Sequence, residues 1–311
     1  ELKTYRAGKA NTAVFNNVKH TVAGTGFMLT ATSGSFTGNS NSFNVNLQTE
    51  FKLGELVFVG YDGQITGSGA ADEFLIATFT DIIPNTTFSL VNSRYEAGAL
   101  ANVRTNKWGG GGDVAEEEPY VFEITYNGTS NIPAGSVIAI RSDLLGVTSI
   151  KTIESNAIST ERLTEFTVNL KGASAPNIST SGSDQLYLVQ GNFTSDGNID
   201  LGEANYILNG RLLHGITNRA PWVPLTSACN GGTVTGNARE SRLPSELECF
   251  NVENSNTSAV TGHYHNSAIH DGSIRQLILG IGNSSNWKLT TGTRYNLNPT
   301  TLDTSSAGRT F

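Results

Sequence analysis

The feature that most constrains the fold is a succession of short apolar runs, each closed by glycine, asparagine or proline. Residues 56–59 form a continuous apolar run with β-branched side chains, which is typical of a strand buried on both faces. Residues 60–71 are rich in Gly, Ser and Asp and are predicted to form a loop. Two further runs, 74–77 and 87–91, flank a turn at 83–85. This stretch therefore predicts three strands of a β core.

The composition favours short strands and turns over a helical bundle. Charged residues make up only 15% of the 311 residues, whereas glycine alone contributes 34. The formal net charge is −7 and the sequence has no cluster of Lys and Arg, which argues against nucleic acid as a partner. No apolar run reaches the roughly 18 residues of a membrane-spanning helix, so no membrane span is expected.

Later segments continue the β pattern. Residues 120–126, 136–140 and 165–170 combine β-branched and aromatic residues in short runs, and each is predicted to be a strand. A helical turn is expected at 159–163, while 275–281 fits either a strand or a short helix. The predicted fold class is therefore all-β.

The first 47 residues differ from the rest. Apolar and polar residues alternate over 27–32, which predicts antiparallel strands with one solvated face. The sequences Gly-Thr-Gly-Phe at 24–27 and Ser-Asn-Ser-Phe at 40–43 lie where bacterial immunoglobulin-like repeats have them, so residues 1–47 resemble the C-terminal part of such a domain. A complete sandwich needs about seven strands. The resemblance therefore implies a partial immunoglobulin-like sandwich and a chain that is a piece of a longer protein.

Six short motifs lie in residues 48–311, at 54–61, 72–75, 80–87, 183–191, 243–247 and 281–287. By these motifs and their order, residues 48–311 resemble a large β-rich domain of secreted Bacteroidetes proteins. Arg94-Tyr95 departs from that family, which usually has Gly-Trp there. The resemblance implies a β-sandwich-like extracellular module in a large protein exported by type IX secretion, although the sequence shows no C-terminal sorting domain.

The expected function is a non-catalytic structural or adhesive module of a larger cell-surface protein or filament. Its expected partners are other protein chains or copies of itself, joined through β-edges, and cell-surface glycans. The alternatives are a secreted carbohydrate-active or esterase-like enzyme and a glycan-binding module. The sequence lacks a Gly-X-Ser-X-Gly motif, and the acidic run at 116–118 fits a solvated loop better than a pair of catalytic carboxylates. Trp222 is the tryptophan to test for stacking on a sugar.

One acidic stretch has the spacing of a calcium loop. Asp196, Asn198, Asp200 and Glu203 place oxygen ligands near a glycine, as calcium sites do. The position at which such a loop has its bidentate acid is occupied by Ile207, so Glu203 would have to substitute. The alternative is an Asx-rich turn between two strands. No other cofactor is expected.

The two cysteines, Cys229 and Cys249, flank a Gly- and Thr-rich stretch and are expected to pair as a disulfide. A bridge of that span would contribute roughly 3 kcal/mol to stability. The alternative is a pair of buried free thiols. The H-x-H motif of His263 and His265, followed by Asp271, fits a zinc or copper site or, alternatively, histidines in a surface loop.

Overall fold

The chain divides into two compact units, Glu1–Leu47 and Gln48–Phe311, which are described separately. The computed structural model describes residues 24–45, 47–65, 71–92, 94–96, 107–109, 119–143, 146–154, 160–172, 175–178, 184–200, 203–218, 222, 243–247, 249–254, 261–264 and 273–290.

The described part of the first unit consists of two pairs of short antiparallel strands. They are β1 (Gly24–Phe27), β2 (Thr30–Ser33), β3 (Phe36–Asn39) and β4 (Phe43–Val45). β1 pairs with β4, and β2 pairs with β3 across a turn in which Gly34 has a φ of 61°, as a tight hairpin requires. The alternation predicted over 27–32 is interrupted between β1 and β2, and all four residues of β2 are exposed.

The second unit is built almost entirely of strands, which confirms the predicted all-β class. Its strands are β5 (Leu56–Ile65), β6 (Ala71–Thr78), β7 (Thr86–Asn92), β8 (Arg94–Glu96), β9 (Lys107–Gly109), β10 (Tyr120–Tyr126), β11 (Val137–Asp143), β12 (Gly146–Ile153), β13 (Thr160–Glu161), β14 (Phe166–Lys171), β15 (Asp184–Asp200), β16 (Glu203–Asn218), β17 (Asn251–Glu253), β18 (Thr261–Tyr264) and β19 (Trp287–Thr290). Short 3₁₀ turns lie at Leu163–Glu165, Ser245–Leu247 and Ser284–Asn286.

These strands form two sheets. The larger sheet has eight strands in the order β14-β10-β7-β15-β16-β9-β8, with β17 added in parallel beside β16. The smaller sheet has seven strands in the order β13-β12-β11-β6-β5-β18-β19. Apolar side chains of both sheets join in one continuous core, as expected for a sandwich. Phe58 and Phe74 of the smaller sheet and Phe88 and Phe122 of the larger sheet are among its fully buried members.

The predicted strands occur at the expected places, but β5 is longer than expected. Residues 56–59 are buried on both faces, as predicted. The loop predicted over 60–71 is wrong at its beginning, because β5 continues to Ile65 and pairs with both β6 and β18. The polar Asp62 is accommodated in this strand because its Oδ1 accepts a hydrogen bond from the Thr261 hydroxyl at 3.0 Å.

The ambiguous segment near residue 275 is a helix, α1 (Ile274–Gly282). Ser273 caps its N-terminus, because the Ser273 side chain accepts a hydrogen bond from the Gln276 N–H. The Gln276 side chain in turn accepts a hydrogen bond from the Ser273 backbone N–H. Leu277, Ile278 and Ile281 bury one face, with the spacing of an amphipathic helix. Among the described residues, no helix is both long and apolar enough to cross a bilayer.

Candidate binding groove

The two longest strands, β15 and β16, form a hairpin that passes through a pair of opposed glycines. Gly191 and Gly210 are direct partners in the ladder. Gly191 has a φ of 136°, and a Cβ added to either glycine would overlap a backbone carbonyl oxygen of the opposite strand. Because only glycine tolerates this approach, the outer face of the sheet carries no side chain at these two positions.

The strands that pair with the hairpin change at these two glycines. Before the glycines, β15 pairs with β7 as far as the Val189–Ser89 pair. Beyond them, β16 pairs with β9 at Tyr206 and Trp108. The far half of the hairpin is therefore an arm that leaves β7, and the outer face beside it is concave.

Two adjoining depressions, together called the outer groove, occupy this concave face. Their volumes are about 250 Å³ and about 460 Å³, and they share Glu123, Gly191 and Asn192. The larger depression falls in the size range of small-molecule sites. The smaller is further lined by Ser89, Pro119, Val121, Lys171, Phe193 and Tyr206, and the larger by Gln48, Glu50, Thr87, Gln190, Asn209, Gly210 and Arg211.

Both carboxylates of the outer groove have a cation beside them. Glu123 lies 3.8 Å from the Lys171 ammonium, and its Oε1 also accepts a hydrogen bond from Asn169 at 3.1 Å. Glu50 lies 3.9 Å from the Arg211 guanidinium. These contacts are long and partly solvent-exposed, so they contribute little to stability, but they leave the groove with no excess of either charge.

Gln190 holds one wall of the larger depression in place. Its Nε2 donates to the Thr49 carbonyl oxygen at 2.7 Å and to the Thr87 carbonyl oxygen at 3.2 Å. Its Oε1 accepts the Phe51 N–H at 2.9 Å. Arg211 reinforces this wall by donating to the Phe51 carbonyl oxygen at 3.0 Å. The segment that carries Glu50 is thus fixed to the hairpin by buried hydrogen bonds.

The smaller depression borders a second hydrophobic cluster on the outer face of the sheet. Trp108 packs edge-to-face on Tyr187 and Phe193, with ring centroids 4.8 and 5.4 Å apart. Phe193 and Tyr206 are half-buried and line the depression, so they present aromatic surface to its interior. This cluster stabilises the arm of the hairpin and gives the outer groove one apolar end.

A separate set of polar groups is buried within the sandwich. The Oδ2 atom of Asp72 accepts the Ile178 N–H at 2.8 Å. Burial raises the pKa of Asp72 to about 7; the Ile178 hydrogen bond opposes this shift, and the carboxylates of Asp184 and Asp62 add to it. The described residues contain no group of three or more His, Cys, Asp or Glu side chains that could hold a metal ion. Through its bond to the Ile178 N–H, Asp72 fastens residues 175–178 to β6.

His214 is the second ionisable group in the interior. It is completely buried, and this burial lowers the pKa of the imidazole to about 3, so the ring is neutral at physiological pH. Its Nδ1 accepts the Phe58 N–H at 3.4 Å, and its ring packs beside the Phe58 ring. His214 therefore acts as a packing residue that links the two sheets.

The proposed calcium ligands lie at the tip of the β15–β16 hairpin. The strands there continue to the Asp200–Glu203 pair, further than the alternative turn predicted, although the pairing register shifts between Ser195 and Ile199. The side chains of Asp196, Asn198, Asp200 and Glu203 lie outside the described residues, and the calcium site stays a prediction.

The structure places the other predicted site residues as follows. Cys249 is an exposed free cysteine and Cys229 lies outside the described residues, so the structure gives no support to the disulfide. His263 is buried in β18, whereas His265 and residues 270–271 lie outside the described residues, as does the acidic run 116–118. Trp222 is only 4% exposed and its Nε1 donates to Asn251 Oδ1 at 3.0 Å, so the ring packs inside the fold and leaves little surface on which a sugar could stack.

Comparison with protein-family models, curated proteins and solved structures finds no match to this chain. The resemblances to immunoglobulin-like repeats and to the Bacteroidetes domain therefore stay predictions.

The outer groove was not predicted from the sequence. Its lining comes from distant segments, such as Glu123, Asn192 and Arg211, which share no motif. The sequence contains one signal, which is glycine within a strand pattern, and such a glycine marks a close approach of two backbones. In the sequence alone, however, Gly191 fits the end of a strand equally well, and nothing local connects it with Gly210.

Proposed function

We propose that the chain is a non-catalytic extracellular module of a larger cell-surface protein or filament, and that it adheres to its target through the outer groove. The observation that carries the proposal is the groove itself. Its carboxylates, Glu123 and Glu50, lie beside Lys171 and Arg211 on an open face. Catalytic acids and bases usually need enclosed surroundings that shift their pKa values. Paired charges on an open face are better suited to reversible recognition.

The edges of the sheets supply the surface for assembly in this proposal. β14 is the outermost strand of the larger sheet beside β10, and its Leu170 is 39% exposed. β19 ends the smaller sheet. A strand at an edge directs backbone N–H and C=O groups outward, where another chain can extend the sheet. Copies of this chain or neighbouring segments of a filament are the proposed partners there.

Adhesion through the outer groove is tested with a blocking variant. Asn192 is exposed and lines both depressions, so Asn192→Trp fills the groove without disturbing the core. Thr148 is exposed on β12 of the smaller sheet, so Thr148→Trp is the matched control. Wild type, blocked variant and control are applied to an array of polysaccharides, mucin and matrix proteins. Binding by wild type and Thr148→Trp, with at least a tenfold loss in Asn192→Trp, is expected.

The alternative function is catalysis, and the same three proteins, wild type, Asn192→Trp and Thr148→Trp, test it. Each polysaccharide that binds is incubated with wild type, and reducing ends and released acetate are measured. Turnover that Asn192→Trp abolishes and Thr148→Trp retains would show a carbohydrate-active or esterase-like enzyme and would overturn the proposal. Equal binding by Asn192→Trp and wild type would also overturn it. The extracellular location is tested by protease treatment of intact source cells, which should remove the protein.

A further inference from the structure

We propose that the outer groove takes a neutral, hydroxyl-rich chain, namely a carbohydrate of at least two sugar units without charged substituents. This inference rests on the adhesive function proposed above and names the chemical class of its ligand. It follows from the polar groups, the charge balance, the aromatic surface and the dimensions of the groove.

The polar groups of the groove require a ligand that both donates and accepts hydrogen bonds. Asn192 and Asn209 expose carboxamides, each with two donors and an acceptor. Asn209 uses part of this capacity in a 2.7 Å bond from its Nδ2 to the Thr194 hydroxyl. The Thr87 hydroxyl lines the larger depression and shares a 2.9 Å hydrogen bond with the Thr125 hydroxyl behind it, so it retains part of its capacity to donate and accept. Sugar hydroxyls match such a mixed set, because each of them donates one bond and accepts others.

The charge balance of the groove selects against ionised ligands. Glu50 and Glu123 contribute two negative charges, and Lys171 and Arg211 contribute two positive charges. A polyanion such as a sulfated or uronate-rich chain would meet both carboxylates, and a basic peptide would meet both cations, without a net attraction to compensate for the loss of water. A neutral chain avoids this cost and can still accept charge-assisted hydrogen bonds from the cations.

The aromatic surface gives the ligand an orientation. Phe193 and Tyr206 line the smaller depression, and the larger depression is lined by polar side chains. A pyranose ring has one face of C–H groups and a rim of hydroxyls, so it can pack on the aromatic side and bond to the polar side. Trp108 packs edge-to-face against Phe193 and holds that ring in place, which reduces the entropy lost on binding.

The dimensions of the outer groove indicate that its ligand is a chain of linked sugar units. The two depressions, of about 250 and about 460 Å³, adjoin at their shared residues Glu123, Gly191 and Asn192. The glycine floor between them lets a ligand lie directly against the backbone as it passes from one depression to the other. A single sugar would fill one depression only.

Affinity electrophoresis in native gels tests this inference. The gels contain dextran, mannan, xylan, mixed-linkage glucan or galactan, with pectate and heparin as anionic comparators. The wild-type chain should be retarded by at least one neutral polymer, and this retardation should change little between 50 and 500 mM NaCl, because no net charge is neutralised. Asn192→Ala and Phe193→Ala should each weaken binding about tenfold or more, whereas Asn131→Ala, at an exposed loop position, should not.

Thermal melting of each variant separates lost binding from lost folding, since Asn192 is exposed and its truncation should leave the melting temperature unchanged. Retardation only by pectate or heparin, or no retardation by any neutral polymer, would overturn the glycan inference. If a matrix protein then binds in a manner that Asn192→Trp blocks, the adhesive function stands and only its ligand class is wrong. If nothing on the array depends on Asn192, both proposals fail.

Discussion

The space between the two sheets and the outer face of the larger sheet are lined by alternate residues of the same strands, yet they differ in character. On β10, Phe122, Ile124 and Tyr126 face the core and are fully buried. Their neighbours Glu123 and Thr125 face outward and are half-exposed. Period-two alternation places both kinds of environment within one strand.

Ionisable side chains also differ in their charge state between the interior of the sandwich and the outer face. Between the sheets, burial shifts the pKa values of Asp72 and His214 so as to favour their neutral forms. On the outer face, Glu123 and Lys171 stay in contact with solvent as an ion pair. The interior therefore determines how stability depends on packing and pH, while the exposed polar positions of the outer face, such as Glu123 and Lys171, can change at little cost to the fold. This freedom makes the outer face the better location for a binding site.

The largest expected effect comes from emptying an interior position. Phe122 is fully buried and surrounded by both sheets, so Phe122→Ala should destabilise the fold by about 5 kcal/mol through lost burial and a residual cavity. The outward Thr125→Ala on the same strand is the matched control, and it should cost no more than about 1 kcal/mol. Urea unfolding followed by tryptophan fluorescence measures both. Similar losses in the two variants would contradict the distinction between the regions.

The second effect concerns the buried imidazole. Because the pKa of His214 is lowered from 6.5 to about 3, its contribution to stability is present above pH 6.5 and is lost as the pH falls towards 3. At about 1.4 kcal/mol per pH unit, the loss between pH 6.5 and pH 3 is about 5 kcal/mol. His214→Leu should remove this acid sensitivity. Free energies of unfolding at pH 7, 5.5 and 4 give the slope, and a slope equal to that of the wild type would refute the assignment.

The third effect comes from Asp72, and its dependence of stability on pH has the opposite sign to that of His214. The pKa of Asp72 is raised from 3.8 to about 7, so its stabilising neutral form is complete below pH 3.8 and is lost as the pH rises through 7. Asp72→Asn keeps an acceptor for the Ile178 N–H and cannot ionise, so it should raise stability at pH 8 by about 4 kcal/mol.

In the wild type the two groups oppose each other between pH 4 and 6.5. The Asp72→Asn variant should therefore lose stability on acidification, and His214→Leu should lose it on alkalinisation. Urea titrations of both variants at each pH give the slope of the unfolding free energy against pH. Slopes of the same sign in the two variants would show that at least one of the two buried groups is charged in the fold.

Much of the fold could be predicted because it depends on local patterns. The run at 120–126 is β10 residue for residue, and 87–91 lies within β7. The error at β5 has a physical reason. Asp62 looks like a loop residue, but Thr261, 199 positions away, supplies its hydrogen bond. Local patterns contain no information about a partner at that separation.

The outer groove was harder to predict for the same reason. Asn192 and Gly210 meet because the hairpin folds back on itself, and Glu123 joins them only through the order of strands in the sheet. Motif spacing can suggest ligands within one loop, as in the calcium hypothesis at Asp196, which stays a prediction. It cannot identify a surface assembled from five strands, β7, β10, β14, β15 and β16, whose sequence positions are unrelated.

The smallest expected effect is on the outer face itself. Glu123→Gln removes the charge that faces Lys171 but keeps an oxygen to accept the Asn169 hydrogen bond. The Glu123 side chain is 27% exposed and the Lys171 side chain 54%, so screening by water should limit the change in unfolding free energy to about 0.5 kcal/mol. The same variant leaves the outer groove with one uncompensated cation, so it should gain affinity for pectate while its stability stays nearly constant. A stability loss comparable to that of Phe122→Ala would mean that the outer face contributes as much to the stability of the fold as the interior does, and the distinction between the two regions would fail.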